Sequence, residues 1–258
     1  MMTADADLLF AAVREAGALA LRHFRAGVKS WHKKPNDPVS EADLEVDALL
    51  RERLLVPRPD YGWLSEESAG QAAQHNSPVW VVDPIDGTRS FIAGKPEFAV
   101  SVALMQAGEP VLAAVLNPAT EEYFSARKGG GAFLNDRPIR ASGHATLMEA
   151  RLLASRRTFE KHGWLTRIGN AEFAHRNSIA YRIALVAAGR FDSAISLSEK
   201  SDWDIAAADL IVREAGGRIT NAEGGSLVYG TARFRHPSVI ATCPWLHDEL
   251  IDLLRSRG

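Results

Sequence analysis

One cysteine, Cys243, in 258 residues excludes an internal disulfide and any thiolate metal site. A chain that uses so little cysteine points to a reducing compartment. Long apolar runs are missing too, and none approaches the ~20 residues needed to span a bilayer. The opening stretch MMTADADLLFAAVREAGALALRHF carries Asp5 and Asp7 where a signal peptide is positive, and Arg14 and Glu15 interrupt its apolar positions. Charge of one sign is lacking as well. Thirty basic residues meet 32 acidic ones, so the net −2 leaves no excess for coating nucleic acid or binding an anionic membrane. No repeat of 20–50 residues and no low-complexity tract interrupts the chain. These absences predict a soluble, cytoplasmic protein with neither a nucleic acid nor a membrane as partner. With 46% hydrophobic and 24% charged residues, a chain of this length builds its core without staples.

What is present falls into two halves. Leu9, Ala12, Val13, Ala16, Leu19, Ala20 and Phe24 recur at three- and four-residue steps, which predicts an amphipathic helix over 4–26. KSWHKKPNDPVS reads as a polar loop, and EADLEVDALLRERLL as a second helix with Ser40 as N-cap. VWVVD, FAVSVALM, VLAAVLN and EEYFSAR are β-branched or aromatic runs between Gly, Pro and Asn, hence strands, and KGGGAFLNDRPIR reads as a turn and hairpin. After about residue 145 come strands in ARLLAS, SAISLS, RITNA and SVIAT. Helices are expected in NSIAYRIALVAAGRFD, in DWDIAAADLIVREAGG with its Gly-Gly stop, and in WLHDELIDLLRSR. The expected organisation is an α/β (α+β) chain with subdomains at 1–145 and 146–258, packed as one body.

WVVDPIDGTRSF drives an apolar strand into two carboxylates. Pro84 cannot donate to a ladder, so pairing stops there, and Asp83 and Asp86 can converge from either side of the turn. Two such groups repel unless protonated or bridged by a cation, and hard oxygens select Mg²⁺, Mn²⁺ or Ca²⁺. Gly87-Thr88 then opens what can be a helix, whose free amides suit a phosphate. The plainer alternative is a capped turn in which both aspartates bond backbone amides. Glu66 and Glu67 in LSEES, Asp204 in WDIAAAD and Asp43 in PVSEADLEVD are further acids, each a surface or capping residue taken alone.

Together WVVDPIDGTRSF, LSEES and DWDIAAADLIVREAGG resemble the inositol monophosphatase family of Mg²⁺-dependent, lithium-sensitive phosphatases. The resemblance runs from PVSEAD through the last helix. It implies a layered αβαβα sandwich, usually a homodimer, and two or three Mg²⁺ per site. It further implies that Glu66, Asp83, Asp86, Asp204 and the Ile85 carbonyl hold metal. Thr88, assisted by Asp43, would activate the attacking water, with Glu66 also in the catalytic set. Asp86, Gly87, Thr88, Ser178 and Asp204 would contact the substrate. Two metal ions can activate water and stabilise both oxygens of an in-line displacement, so no covalent nucleophile is required.

Within the family, LSEES, DGTRSFIAGKPEF, PNDPVSEAD and LLASRR are similar to the 3'(2'),5'-bisphosphate nucleotidase branch. Leu197 stands where the inositol branch has an acid seven positions before the Trp-Asp aspartate, although Glu199 is near. Asn177-Ser178 departs from the usual Gly-Ser or Gly-Thr. Arg156, Arg157, Lys161, His162, Arg167, His175 and Arg176 concentrate in one segment that is either a seat for a second phosphate or a solvated loop. The expected reaction is therefore hydrolysis of adenosine 3',5'-bisphosphate to AMP and phosphate. The alternative is inositol 1-phosphate or another small sugar or alcohol phosphate, and a different class is a non-catalytic regulator or scaffold that keeps the metal site. KGGGAF lacks nucleotide-loop spacing, and the histidines lack metal-ligand spacing. His23 is expected to flank a helix face, Trp31, Trp63, Trp164 and Trp245 to pack, and Lys33 or Lys34 to be solvated, the alternative being a contact with the metal site from a mobile loop.

Overall fold

The runs sort into two sheets with helices on every face. The computed structural model describes residues 2–35, 37–68, 77–231 and 234–256. The chain opens with α1 (Met2–Ala26), a hairpin of β1 (Ser30–Lys34) and β2 (Asp37–Ser40), and α2 (Glu41–Leu55). Next come β3 (Gly62–Ser65), β4 (Val79–Asp86), the short α3 (Thr88–Ile92), β5 (Ala99–Gln106), β6 (Glu109–Asn117), β7 (Glu122–Arg127), β8 (Gly131–Leu134) and β9 (Arg137–Ile139). The second half runs β10 (Arg151–Leu153), α4 (Arg156–Lys161), a 3-10 turn (Trp164–Arg167), β11 (Glu172–Ala174), α5 (Ile179–Ala187) and β12 (Ser193–Ser196). It closes with β13 (Lys200–Ser201), α6 (Asp202–Glu214), β14 (Arg218–Thr220), β15 (Arg235–His236), β16 (Val239–Thr242) and α7 (His247–Arg255).

β3 to β9 form a seven-stranded sheet in chain order, and the five-stranded sheet has the order β11-β10-β12-β16-β14. Strand alternation sends Trp80, Val82, Val100, Val102 and Leu112 to one face of the large sheet, against Leu9, Val13, Ala16, Val46 and Leu50 of α1 and α2. Val81, Ala99, Ala103, Ala113 and Val115 face the other way, onto α5 and α6. Those two helices also meet Leu153, Ala194, Val239 and Ala241 of the five-stranded sheet. The far side of that sheet packs Leu152, Ile195 and Ile240 against Phe159, Trp164, Leu250 and Leu253. The result is the layered αβαβα sandwich. A helix buried between two sheets must be apolar all round, and all nine residues of α5 are buried. No helix among the described residues is long and apolar enough to cross a membrane.

Several local expectations need correction. KSWHKKPNDPVS is a β-hairpin rather than a loop, with Trp31 opposite Val39 and His32 opposite Pro38. All five residues of β1 are exposed, so no apolar alternation marks it. Trp31 on that hairpin is 44% exposed and Trp245 ahead of α7 is 70% exposed; only Trp63 and Trp164 of the four pack into the core. The basic segment after β10 is not one loop, since it contains α4, the 3-10 turn and β11. The β8–β9 hairpin matches its sequence. Asn135 and Asp136 have φ of 48° and 63°, as the two central positions of a type I′ turn require.

Candidate active site

β3 and β4 run parallel, with Ser65 beside Val82. The next residue on each strand is an acid, so strand register alone brings Glu66 next to Asp83. β4 then bulges. Asp83 lies opposite Ser101 and Asp86 opposite Ala99, three residues spanning two on β5. In a regular strand residues three apart face opposite sides, and one extra residue restores them to the same side. Pro84, which has no N–H to lose, is in this bulge, and both aspartates line a single cleft. The amide of Ile85 donates to Asp83 Oδ1 at 3.0 Å.

Two helix starts supply the remaining acids. Asp43 and Asp204 are each the third residue of a helix whose N-cap is a serine, Ser40 and Ser201. One oxygen of each carboxylate accepts from its N-cap amide, at 2.8 Å for Asp43 and 2.6 Å for Asp204. This capping geometry fixes the side chain and leaves the second oxygen available. Asp43 also accepts from the Ser40 hydroxyl at 2.6 Å, and its Oδ1 lies 3.1 Å from Thr88 Oγ1. That threonine hydroxyl is 3.0 Å from the Ile85 carbonyl as well, so its one proton is shared between two acceptors.

Glu66, Asp83 and Asp204 each offer an oxygen within 4.8 Å of the other two. Asp86 is not part of this triad. Its Oδ2 accepts from the Ser178 hydroxyl and the Ala180 amide, both at 2.6 Å, which ties β4 to the start of α5. Ser178 is buried, and its hydroxyl also accepts from the Tyr181 amide at 3.0 Å. Its neighbour Asn177 is the residue of that pair that lines the cleft, an open space of about 230 Å³ shared with Gly87, Thr88, Arg89 and the acids. Gly87 has φ +95°, and a Cβ there would meet the Glu97 carbonyl at 2.8 Å. It therefore keeps the backbone close at the mouth of α3.

Burial, and then the mutual repulsion of the acids, raises their proton affinities. Burial pushes Glu66 up to about 8, with Asp204 and Glu67 adding to it and Lys33 opposing. Asp86 is pushed up to about 7 by burial and Asp204, against its bonds from Ser178 and Ala180. Asp83 is raised well above the carboxylate range by burial and by Glu66, Asp86 and Asp204. Asp204 and Asp43 are raised by burial, each opposed by its serine cap. Hard oxygens held together at this cost fit a divalent cation, which relieves both repulsion and desolvation.

Two basic side chains depart from the expectation put first. Lys33 is not a solvated lysine: the β1–β2 hairpin brings its Nζ to 2.6 Å from Glu67 and 3.6 Å from Glu66. Arg182, inside the apolar α5, is buried with its Nη2 on the carbonyls of Leu153 and Ile195. The Lys33 contact is the alternative reading of that lysine, whereas no spacing in the sequence announces the Arg182 contact. His23 does flank α1, hydrogen-bonded to Glu45 of α2 at 2.9 Å.

A layered αβαβα sandwich with an acidic triad, Asp83 buried and Glu66 and Asp204 half-buried, at an open cleft defines a hydrolase of small phosphate esters. The whole sequence leads to the same place. The model of the inositol monophosphatase family matches residues 2–257, and the chain belongs to that family. It is 39% identical over 229 residues to the inositol-1-monophosphatase of Rhizobium meliloti (strain 1021), covering 85% of this chain and 86% of that protein. It is 33% identical over 258 residues to Nus factor SuhB of Escherichia coli (strain K12), covering 95% and 96%. The crystal structure of extragenic suppressor protein suhB from Bartonella henselae superposes with a TM-score of 0.86 at 30% identity, over 97% of this chain and 98% of that one.

Proposed function

We propose that this enzyme hydrolyses small alcohol and polyol phosphates of the inositol 1-phosphate type with Mg²⁺. The observation that carries the reading is the Glu66–Asp83–Asp204 triad lining the same cleft as Thr88, whose hydroxyl is hydrogen-bonded to the buried Asp43 behind it. In this reading Glu66, Asp83 and Asp204 hold the metal, with Asp86 and the Ile85 carbonyl completing the set for two or three ions. Bound there, Mg²⁺ supplies Lewis-acid stabilisation of the phosphoryl oxygens and lowers the pKa of the attacking water. Thr88 orients that water and passes its proton toward Asp43, whose burial-raised proton affinity suits a base. The amides of Gly87 and Thr88, at the mouth of α3, receive the ester phosphate.

This order of substrates reverses the expectation from the sequence, which put adenosine 3',5'-bisphosphate first. Support comes from the relative named inositol-1-monophosphatase, and none of the relatives named above is a bisphosphate nucleotidase. Lithium inhibition, a homodimer and a cytoplasmic location go with the same reading through the family resemblance. The test is a substrate panel with purified protein. Inositol 1-phosphate should be hydrolysed with Mg²⁺ and left intact in excess EDTA; turnover unaffected by EDTA would overturn the metal assignment. A second reading, regulation through a macromolecular partner, is favoured by the relatives named Nus factor SuhB. An Asp86→Asn strain separates the two, since an intact cellular phenotype with activity lost would favour regulation.

A further inference from the structure

A second cleft opens beside the acidic one. β11, β10 and β12 lie side by side and parallel, and the residues just past their carboxyl ends, His175, Ser155 and Leu197–Ser198, line a space of about 430 Å³. Crevices outside the carboxyl ends of parallel strands are where open α/β sheets take ligands. The titratable groups lining this crevice are all bases, namely Lys161, His162, His175 and Arg182; among the described residues lining it there is no Asp or Glu. Glu199, the nearby acid, is paired with Arg235 at 3.3 Å.

Arg182 gives the crevice a fixed charge. Only 9% exposed, it is clamped by its Nη2 to the carbonyl ends of β10 and β12, and its Nε has no hydrogen-bond partner among the described residues. Burial lowers it only to about 10, so it stays cationic at neutral pH. A buried guanidinium is costly, and no acid among the described residues lining the crevice offsets its charge, so an anion entering there would relieve part of that cost. The two clefts adjoin. His175 Nε2 is 3.1 Å from Oδ1 of Asn177, which lines the acidic cleft. Arg182 lies on the same helix whose first turn anchors Asp86. The basic residues of the segment divide between different tasks, because Arg176 is turned to Glu97 at 3.5 Å and Arg167 bonds Ser256.

We infer that this crevice receives a second anionic group, phosphate or carboxylate, of the same substrate whose ester phosphate enters the acidic cleft. The inference rests on the proposed phosphatase reading and narrows it: esters carrying a second anion are preferred over neutral alcohol phosphates.

The experiment compares kcat/KM with Mg²⁺ for two matched pairs, inositol 1-phosphate against inositol 1,4-bisphosphate and 3'-AMP against adenosine 3',5'-bisphosphate. In at least one pair the doubly anionic ester should win by about tenfold, chiefly through KM, as one charge-assisted contact predicts. The ratio should fall to near unity in Lys161→Ala/His175→Ala and persist in Arg167→Ala. A ratio taken within each protein is insensitive to partial loss of folded enzyme. Turnover of the monoesters with no preference in either pair overturns the inference and leaves the phosphatase reading standing, as does a preference that survives the double variant. Failure to turn over all four esters overturns the phosphatase reading, and the inference with it.

Discussion

Asp83 is the residue on which the site's electrostatics converge. It is buried and hydrogen-bonded by the Ile85 amide, and Glu66, Asp86 and Asp204 all raise its proton affinity. Without a cation, such a group is a burden on the fold at high pH. Folded and metal-free, Glu66 and Asp86 keep their protons up to about pH 8 and 7, whereas in the unfolded chain carboxylates release them near pH ~4. A carboxylate with a raised folded pKa stabilises the fold fully below its unfolded value, and that contribution is lost as pH rises through the folded value. In EDTA the melting temperature should therefore fall between about pH 5 and pH 8.5, and saturating Mg²⁺ should flatten the decline because the cation replaces the protons. A melting temperature in EDTA that does not change over this range would contradict the assignment. Asp83→Asn should separate function from stability. Activity should drop by on the order of 10³-fold, as when a fixed electrostatic contact to the transition state is removed, while the metal-free variant melts higher than the parent at about pH 8. Activity assays and thermal melts on the same preparations check both halves.

At the scale of elements, the junction between β4, α3 and α5 holds the site in shape. Gly87 starts α3 with φ +95°, and a Cβ there would lie 2.8 Å from the Glu97 carbonyl and 3.2 Å from the Ser178 amide. Gly94, two residues past α3, also has positive φ (+67°) but nothing within 4 Å of its would-be Cβ. Gly94→Ala should cost about 1 kcal/mol, the left-handed strain alone. Gly87→Ala should cost about 2–4 kcal/mol and lower activity at least about tenfold, because backbone must move at the bond between Asp86 and α5. Denaturant midpoints and kcat for the pair are the measurement, and equal effects of the two substitutions would show that close approach at Gly87 is unimportant. The elements most legible in the sequence are those with an apolar stripe to announce them: Leu9, Val13 and Ala16 of α1, or Ile205 to Ala208 of α6, are all buried. The hairpin of β1 and β2 was illegible because its first strand has no buried face, and α4 and β11 were hidden among charges that do not alternate with a core. The same holds for the site. Glu66, Asp83 and Asp204 are visible because each stands at the edge of an apolar run, the first two after a strand and Asp204 at the start of a helix. The Lys33 contact depends on a hairpin register, and Arg182 on the two strand ends its helix happens to face.

For the molecule as a whole, the acidic cleft joins parts that are distant in the chain. Glu66, Asp83 and Asp86 come from the seven-stranded sheet and Asp204 from α6, which, with α5, is buried between both sheets. Neither sheet can cover its inner face if these helices leave, since the same apolar residues of α5 and α6 serve both. Loss of either sheet should thus expose the helices and unfold the rest, giving one calorimetric transition rather than two. The expected enthalpy is about 180 kcal/mol at ~0.7 kcal/mol per residue. A cation bound across the cleft stabilises this single unit by about 2.7 kcal/mol at 100 times its Kd. Divided by an unfolding entropy of about 0.54 kcal/mol/K for a chain of this size, that gives an upward shift of about 5 °C. Scanning calorimetry with EDTA and then with saturating Mg²⁺ tests the account directly. The whole transition should move together, and a split into two peaks, only one of which follows the metal, would mean that the helices between the sheets do not couple them.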